Sequence, residues 1–243
     1  SWRGGRIEST IKSRSTPLLL WESVLKSGAN FINLQYGDCI EEINQIKESL
    51  GVSINDWTDA DPLKDLDNFA AQISALDLVI SIDNSTVHFA GALGTPVWVL
   101  LPYAPEWRWF LHRDDSPWYP SVRLFRQKKL DAWESVFEEV INSLKLHDRQ
   151  IQITADLTTL LTATINAFRV NAIPEGHKKL IALLELLASH TTMLSEEKVL
   201  KLKNLLNKIL KELEQKNYDA ITEILEKEIA TLLNFSLEKA LLS

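Results

Sequence analysis

Up to about Lys145, short apolar runs alternate with stretches whose apolar positions recur every three or four residues. Phe31 to Gln35 is a run of the length and character of a buried strand. Leu76 to Ile82 (LDLVISI), Pro96 to Leu101 and Val122 to Phe125 read in the same way. The segments between them predict helices. Thr16 to Lys26 has Thr16 as N-cap and Pro17 at the first helical position. Ile40 to Leu50 is amphipathic and ends at Gly51, Asp65 to Ala75 follows, and Ser85 to Leu93 is stopped by Gly94. Ala132 to Leu144 closes the series. Strands alternating with helices imply an α/β domain with a doubly wound parallel sheet, covered on both faces.

Beyond about Gln150 the rhythm becomes purely helical. Leu157 to Val170, Lys178 to His190, Glu196 to Gln215 and Tyr218 to Ser236 carry Leu or Ile at three- and four-residue spacings, with Glu and Lys between. A Pro-Glu-Gly break spans Pro174 to Gly176. Short breaks predict antiparallel neighbours in an all-α bundle. Composition shifts at the same place. All eight tryptophans lie at or before Trp133, seven of eight prolines at or before Pro120, and seven of eight glycines at or before Gly94. Two domains are therefore expected, 1–147 and 151–243, with the boundary near Leu146 to Gln152.

Composition and charge narrow the function class. With 45% hydrophobic and 24% charged residues the chain is ordinary globular protein. A formal charge of -7 argues against a nucleic-acid partner, which would call for a basic face. Cys39 is the only cysteine, so neither an intrachain disulfide nor a cysteine-rich metal site is possible, and a reducing, cytoplasmic setting is expected. No apolar run approaches the roughly 20 residues of a membrane span. The opening Ser1-Trp2-Arg3-Gly4-Gly5 reads as the end of a buried strand entering a loop, which leads us to expect a longer natural protein.

Ligands of open α/β sheets sit beyond the carboxyl ends of the strands, where helix N-termini direct free N–H groups outward. Three loops qualify. Trp2 to Arg6 holds two glycines and two arginines, suited to a phosphate or to a plain strand-to-helix turn. Gln35-Tyr36-Gly37-Asp38 offers Gln35 to a base or sugar edge and Tyr36 for stacking, or is a capped loop. The third runs from Asp83 to Pro96. There a buried strand ends on Asp83, Asn84, Ser85 and Thr86 open a helix, and His88 lies on its first turns. That arrangement fits a diphosphate cradle with Asp83 accepting from a sugar hydroxyl. It is equally compatible with simple helix caps and a core histidine.

Long strings carry a family resemblance. IDNSTVHFAGALGTPVWVLLPYAPEWRWFLHRDDSPWYPSVRLFRQ resembles the C-terminal part of bacterial heptosyltransferase-type glycosyltransferases. It is closer still to the glycosyltransferase-like ends of tetratricopeptide-repeat proteins. SWRGG, the SRST of Ser13 to Thr16, NLQYGDC and DPLKDLDNFAAQISALDLVISIDNS are similar to that group too, so the likeness covers Ser1 to about Lys145. The resemblance implies a Rossmann-like domain, the C-terminal half of a GT-B fold, which binds the nucleotide-sugar donor. It implies donor contacts from Arg3, Gln35, Tyr36, Asp83, Asn84, Ser85, Thr86 and His88. It also implies transfer without a metal or other cofactor. The family's N-terminal half, which holds the acceptor and usually the general base, has no counterpart in these residues. No catalytic residue is therefore assigned, and the chain is expected to bind donor while transferring little.

Alternatives stay open. A non-catalytic nucleotide- or glycan-binding module could use the helical domain as a scaffold for a protein partner or a second copy. An epimerase-like enzyme is a third reading, against which the PEWRWF segment argues. That aromatic segment, Pro105 to Pro120, places Trp107, Arg108 and Arg113 as candidates for a pocket wall, with Trp109 expected in a packed lid. The five histidines show no metal-ligand spacing.

Overall fold

The computed structural model describes residues 1–5, 14–57, 59–61, 63–191 and 194–232, and the chain divides into two compact units, Ser1–Leu146 and a second opening at His147. The first is mixed α/β. A 3-10 turn, Leu18–Trp21, runs into helix α1, Glu22–Leu25. Then follow β1 Phe31–Ile32, α2 Ile40–Leu50, β2 Ile54–Asn55, α3 Leu66–Ser74, β3 Val79–Ile82, α4 Ser85–Leu93, β4 Val97–Leu101 and β5 Val122–Arg126. All strand pairs are parallel: β1 with β2, and β3-β4-β5 in that order. Val79, Val97 and Val122 lie in one register row, and Ile82, Leu100 and Phe125 in another.

Side-chain alternation explains why VWVLL is continuously apolar. Val97, Val99 and Leu101 of β4 pack with Phe69, Ile73, Val87, Ala90 and Trp109 on one face. Trp98 and Leu100 pack with Trp21, Ile46, Phe125, Val136 and Phe137 on the other. A strand buried on both faces has no side that needs to be polar. Ser1 pairs with the free side of β3, its amino group donating to Ile80 O at 3.3 Å and its carbonyl accepting from Ile82 N at 3.1 Å.

Several expectations change in detail. Thr16 is not the N-cap: Pro17 stands there, without a side-chain cap bond, and the first turn is 3-10. The Thr16 hydroxyl instead accepts from Trp21 Nε1 at 2.8 Å. Strand β2 is new, because Ile54 and Asn55 are too few and too mixed to register as an apolar run. The expected gap between Leu144 and Leu157 is also absent. One helix, α5, spans Trp133–Arg169. Lys145 to Asp156 is polar but contains no Pro or Gly, so nothing in it stops a helix.

The remaining helices are α6 Ile173–Ser189, α7 Glu196–Glu214 and α8 Tyr218–Glu223, the last continued by a π-helical stretch, Ile224–Ile229. The tail of the predicted Tyr218 to Ser236 helix, past Leu232, lies outside the described residues, as does Arg6. Pro174-Glu175-Gly176 is no break but the opening of α6, with Pro174 in the first turn, where its missing N–H is harmless. The turn itself falls earlier, at Asn171, whose φ is 58°. Gly176 is a close approach: a Cβ there would lie 2.5 Å from the Phe168 ring. Leu157, Leu161, Leu183, Leu205, Ile209, Leu225 and Ile229 form the core of this helical unit. Among the described residues no helix is long and apolar enough to cross a membrane.

Candidate functional site

The carboxyl end of β3 is where separate segments meet. Asn84 caps α4, its Oδ1 accepting from Thr86 N at 2.9 Å. Its Nδ2 donates to Ser1 Oγ at 2.7 Å and Arg3 O at 3.1 Å, tying the first residues of the chain to the helix start. Gly4 crosses this junction so closely that a Cβ would lie 2.9 Å from the Asp83 carbonyl oxygen. Ser15 Oγ then bonds to both Gly4 N at 3.2 Å and Gly4 O at 3.3 Å. Glycine is the residue that permits such an approach.

Asp83 follows directly and is buried. Arg14 Nη2 lies 3.5 Å from its Oδ2 and 2.5 Å from Glu106 Oε1, so one guanidinium spans two carboxylates. Burial pushes the Asp83 carboxyl above its ordinary range, and the Trp109 indole N–H and Arg14 oppose that rise. Neither Asp83 Oδ2 nor Trp109 Nε1 has a hydrogen-bond partner among the described residues. Glu106 goes the other way: its bond from Arg14 holds it below its usual value.

His88, one turn into α4, completes the cluster. Its ring stacks on Trp109 at 5.5 Å and 17°, and its Nδ1 lies 3.2 Å from the Tyr119 hydroxyl. Gly91 makes room for that contact, since a Cβ there would sit 2.5 Å from Tyr119 Cγ. Burial lowers the His88 pKa while Asp83 raises it, leaving the imidazole below its ordinary value. A buried carboxyl, an imidazole of lowered proton affinity and a bridging arginine thus stand together where the α4 N-terminus presents its first-turn N–H groups.

The eight residues named from the sequence do not converge equally. Asp83, Asn84, Ser85, Thr86 and His88 lie together at the β3–α4 junction, with Ser85 exposed and Thr86 buried. Gln35 is buried and its Oε1 accepts from Ser1 Oγ at 2.9 Å, Trp2 N at 3.0 Å and Arg3 N at 2.8 Å, holding the first residues of the chain. The Arg3 guanidinium donates to Asp38 O at 2.8 Å and pairs with Glu42 at 3.4 Å. Tyr36 is half-buried. Trp109 is buried against the sheet. Trp107 stands 72% exposed, Arg108 pairs with Glu106, and Arg113 pairs with Asp115.

Sequence reasoning passed over Arg14, Glu106 and Tyr119. Arg14 sat inside the SRST string and Glu106 inside PEWRW, but neither stands near Asp83 in the chain. An unpaired buried carboxylate would have demanded a cation, and that demand was the one available signal. Among the described residues no group of three or more His, Cys, Asp or Glu side chains could hold a metal ion.

No protein-family model matches the chain, and no solved structure matches it. It is similar to Protein FlbA of Caulobacter vibrioides (strain ATCC 19089 / CIP 103742 / CB 15), 41% identical over 145 residues, which is 59% of this chain and 24% of that protein. The chain thus spans about a quarter of the length of that relative.

Proposed function

We propose that the chain carries the donor-binding part of a nucleotide-sugar glycosyltransferase of the GT-B type, similar to the heptosyltransferase-like ends of tetratricopeptide-repeat proteins. The observation that carries the reading is the gathering of Arg14, Asp83, His88 and Glu106, drawn from distant parts of the chain, at the opening of α4. Shifted proton affinities cluster at functional sites, where burial and neighbouring charges are arranged to tune them. The Ser1 pairing on β3, beside β3-β4-β5, and the apolar packing on both faces of that sheet support a Rossmann-like domain. In this reading the first-turn N–H groups of α4 receive a diphosphate, with Ser85 at the open end. Asp83 and Glu106 accept from hydroxyls of the sugar or ribose. His88, oriented by Tyr119 and Trp109, contacts the donor, and Arg14 supplies positive charge, so no metal or cofactor is invoked.

The acceptor, a glycan or a protein, and its general base belong to another part of the assembly. The chain alone therefore binds donor without appreciable transfer, in a cytoplasmic setting suited to its lone cysteine. Calorimetric titration with ADP-, UDP-, GDP- and CMP-sugars, without metal, tests this. Preference for one base, weakened about tenfold or more by Asp83→Asn or His88→Gln, is expected. Binding of none, or efficient transfer by the isolated chain, overturns it.

One observation favours a second reading, a non-catalytic binding module whose helical unit engages a protein partner. The charge of Arg14 is already divided between Asp83 and Glu106, and Arg3, Gln35 and Asn84 are engaged internally. Nucleotide binding with no turnover even in the presence of the full-length protein would favour it.

A further inference from the structure

The loop between β4 and β5 does something unusual: it holds large aromatic rings out in water. Trp107 is 72% exposed and Trp118 52%, and the two rings meet edge-to-face at 6.4 Å. Isolated exposed apolar residues need no explanation, but a fixed pair does. Trp118 Nε1 donates to Arg108 O at 3.0 Å, and its backbone N–H donates to Ser116 Oγ at 3.2 Å. The Arg108 guanidinium lies 5.8 Å over the Trp107 ring and pairs with Glu106.

The same motif recurs beside it. Phe110, half-exposed, has φ 54°, a backbone conformation that a bulky residue adopts only when its surroundings compel it. Arg113 lies 5.9 Å from that ring and forms a two-bond pair with Asp115, at 2.5 and 2.7 Å. The loop is pinned from below by Arg126, which donates to Trp109 O and, at 3.0 Å, to Arg113 O. Leu124 N adds a bond to Asp114 O at 2.6 Å. These bonds hold the loop that carries the rings in one conformation, which lowers the entropic cost of binding.

We propose that this outward face is a carbohydrate-binding platform for a neutral glycan, with Trp107 and Trp118 as its stacking surface. The platform borders the proposed nucleotide site through Glu106, but its stacking surface is separate from that site. Trp107 and Phe110 each have beside them an arginine–carboxylate pair, Arg108–Glu106 and Arg113–Asp115, that offers donors and acceptors together. A charged ligand finds no net charge to meet. A purely apolar partner would desolvate both ion pairs and give them no hydrogen bonds in return. A pyranose ring satisfies both demands, with C–H faces for the indoles and a rim of hydroxyls for the paired groups.

The test is a fluorescence and calorimetric titration of the full chain with neutral hexasaccharides: maltohexaose, cellohexaose, laminarihexaose, mannohexaose and chitohexaose. At least one is expected to bind saturably and perturb tryptophan emission. Trp107→Ala and Trp118→Ala should each weaken that binding about tenfold or more. Because Trp107 is so exposed, Trp107→Ala should leave the melting temperature unchanged. Failure of all five glycans to bind overturns the proposal, as does binding that neither substitution weakens. A change in oligomeric state on either substitution, without glycan binding, assigns the rings to a protein interface and also overturns it.

Discussion

The two units bury polar groups on different terms. In the helical unit the buried polar residues among those described are Thr164 and Thr222, and each hydroxyl closes on its own helix, at 2.7 Å to Leu160 O and 2.9 Å to Tyr218 O. The rest of that core is Leu, Ile and Phe. The α/β unit instead buries Asn33, Gln35, Gln72, Asp83 and Gln127, among others. Every buried side-chain polar atom found without a hydrogen-bond partner among the described residues belongs to it. Unsatisfied burial costs stability and persists where something else depends on it. The helical unit thus keeps its buried polar groups to hydroxyls bonded to their own helix, while the α/β unit buries several side chains, Asp83 at the end of β3 among them, that have atoms without a partner among the described residues.

Substitutions separate the two regimes. Ile209→Ala, at a fully buried position of the helical core, should cost about 2–5 kcal/mol, read as loss of hydrogen-exchange protection in α7. Gly91→Ala should cost about 1–3 kcal/mol despite the better helix propensity of Ala, because the new methyl meets Tyr119. It should also displace His88 from Tyr119, visible as a changed imidazole titration by NMR.

Asp83→Asn sharpens the contrast, since it should not destabilise at all. Burial raises the Asp83 pKa, so ionisation costs stability as pH climbs from the ordinary 3.8 through the raised folded value. The amide removes that cost, and melting at pH 7 should be unchanged or higher, with the advantage fading below pH 3.8. A lower melting temperature at pH 7 would break the comparison.

His88 runs in the opposite sense. Its folded pKa is depressed, so its share of stability is intact above the ordinary 6.5 and is lost as pH falls through the folded value. His88→Gln should therefore lose less stability than the natural chain on going from neutral to mildly acidic buffer. The smallest effect belongs to the exposed Lys208–Glu228 pair of the helical unit, 3.1 Å apart, where Lys208→Ala should change stability by less than about 1 kcal/mol in chemical denaturation.

Periodicity carried most of the fold because helix ends and apolar runs are local. Ile40–Leu50 and Ser85–Leu93 match the sequence reading residue for residue, each closed by a glycine. Strand β1 falls within the expected Phe31 to Gln35 run, but its partner β2 did not show, since the pairing of Phe31 with Ile54 is decided by distant chain. The expected interruption after Leu144 failed for a related reason: polarity alone does not end a helix, and α5 meets no Pro or Gly until it has passed Arg169. Of the site, the half at Asp83 to His88 was legible because it is contiguous. Arg14, Glu106 and Tyr119 were not, because their roles arise only when loops from three places fold over one strand end. The internal bonds that Gln35 and Arg3 make, to the chain's first residues and to Glu42, could not be seen in the sequence because their partners lie far along the chain.

The central claim, that the Asp83 cluster is a donor site and not a packing feature, is tested most directly by calorimetry of the metal-free chain and its Asp83→Asn variant against the four nucleotide-sugar classes. One base should be preferred, and the variant should bind it about tenfold or more weakly while melting no lower. Equal binding by both chains, or binding by neither, would contradict it.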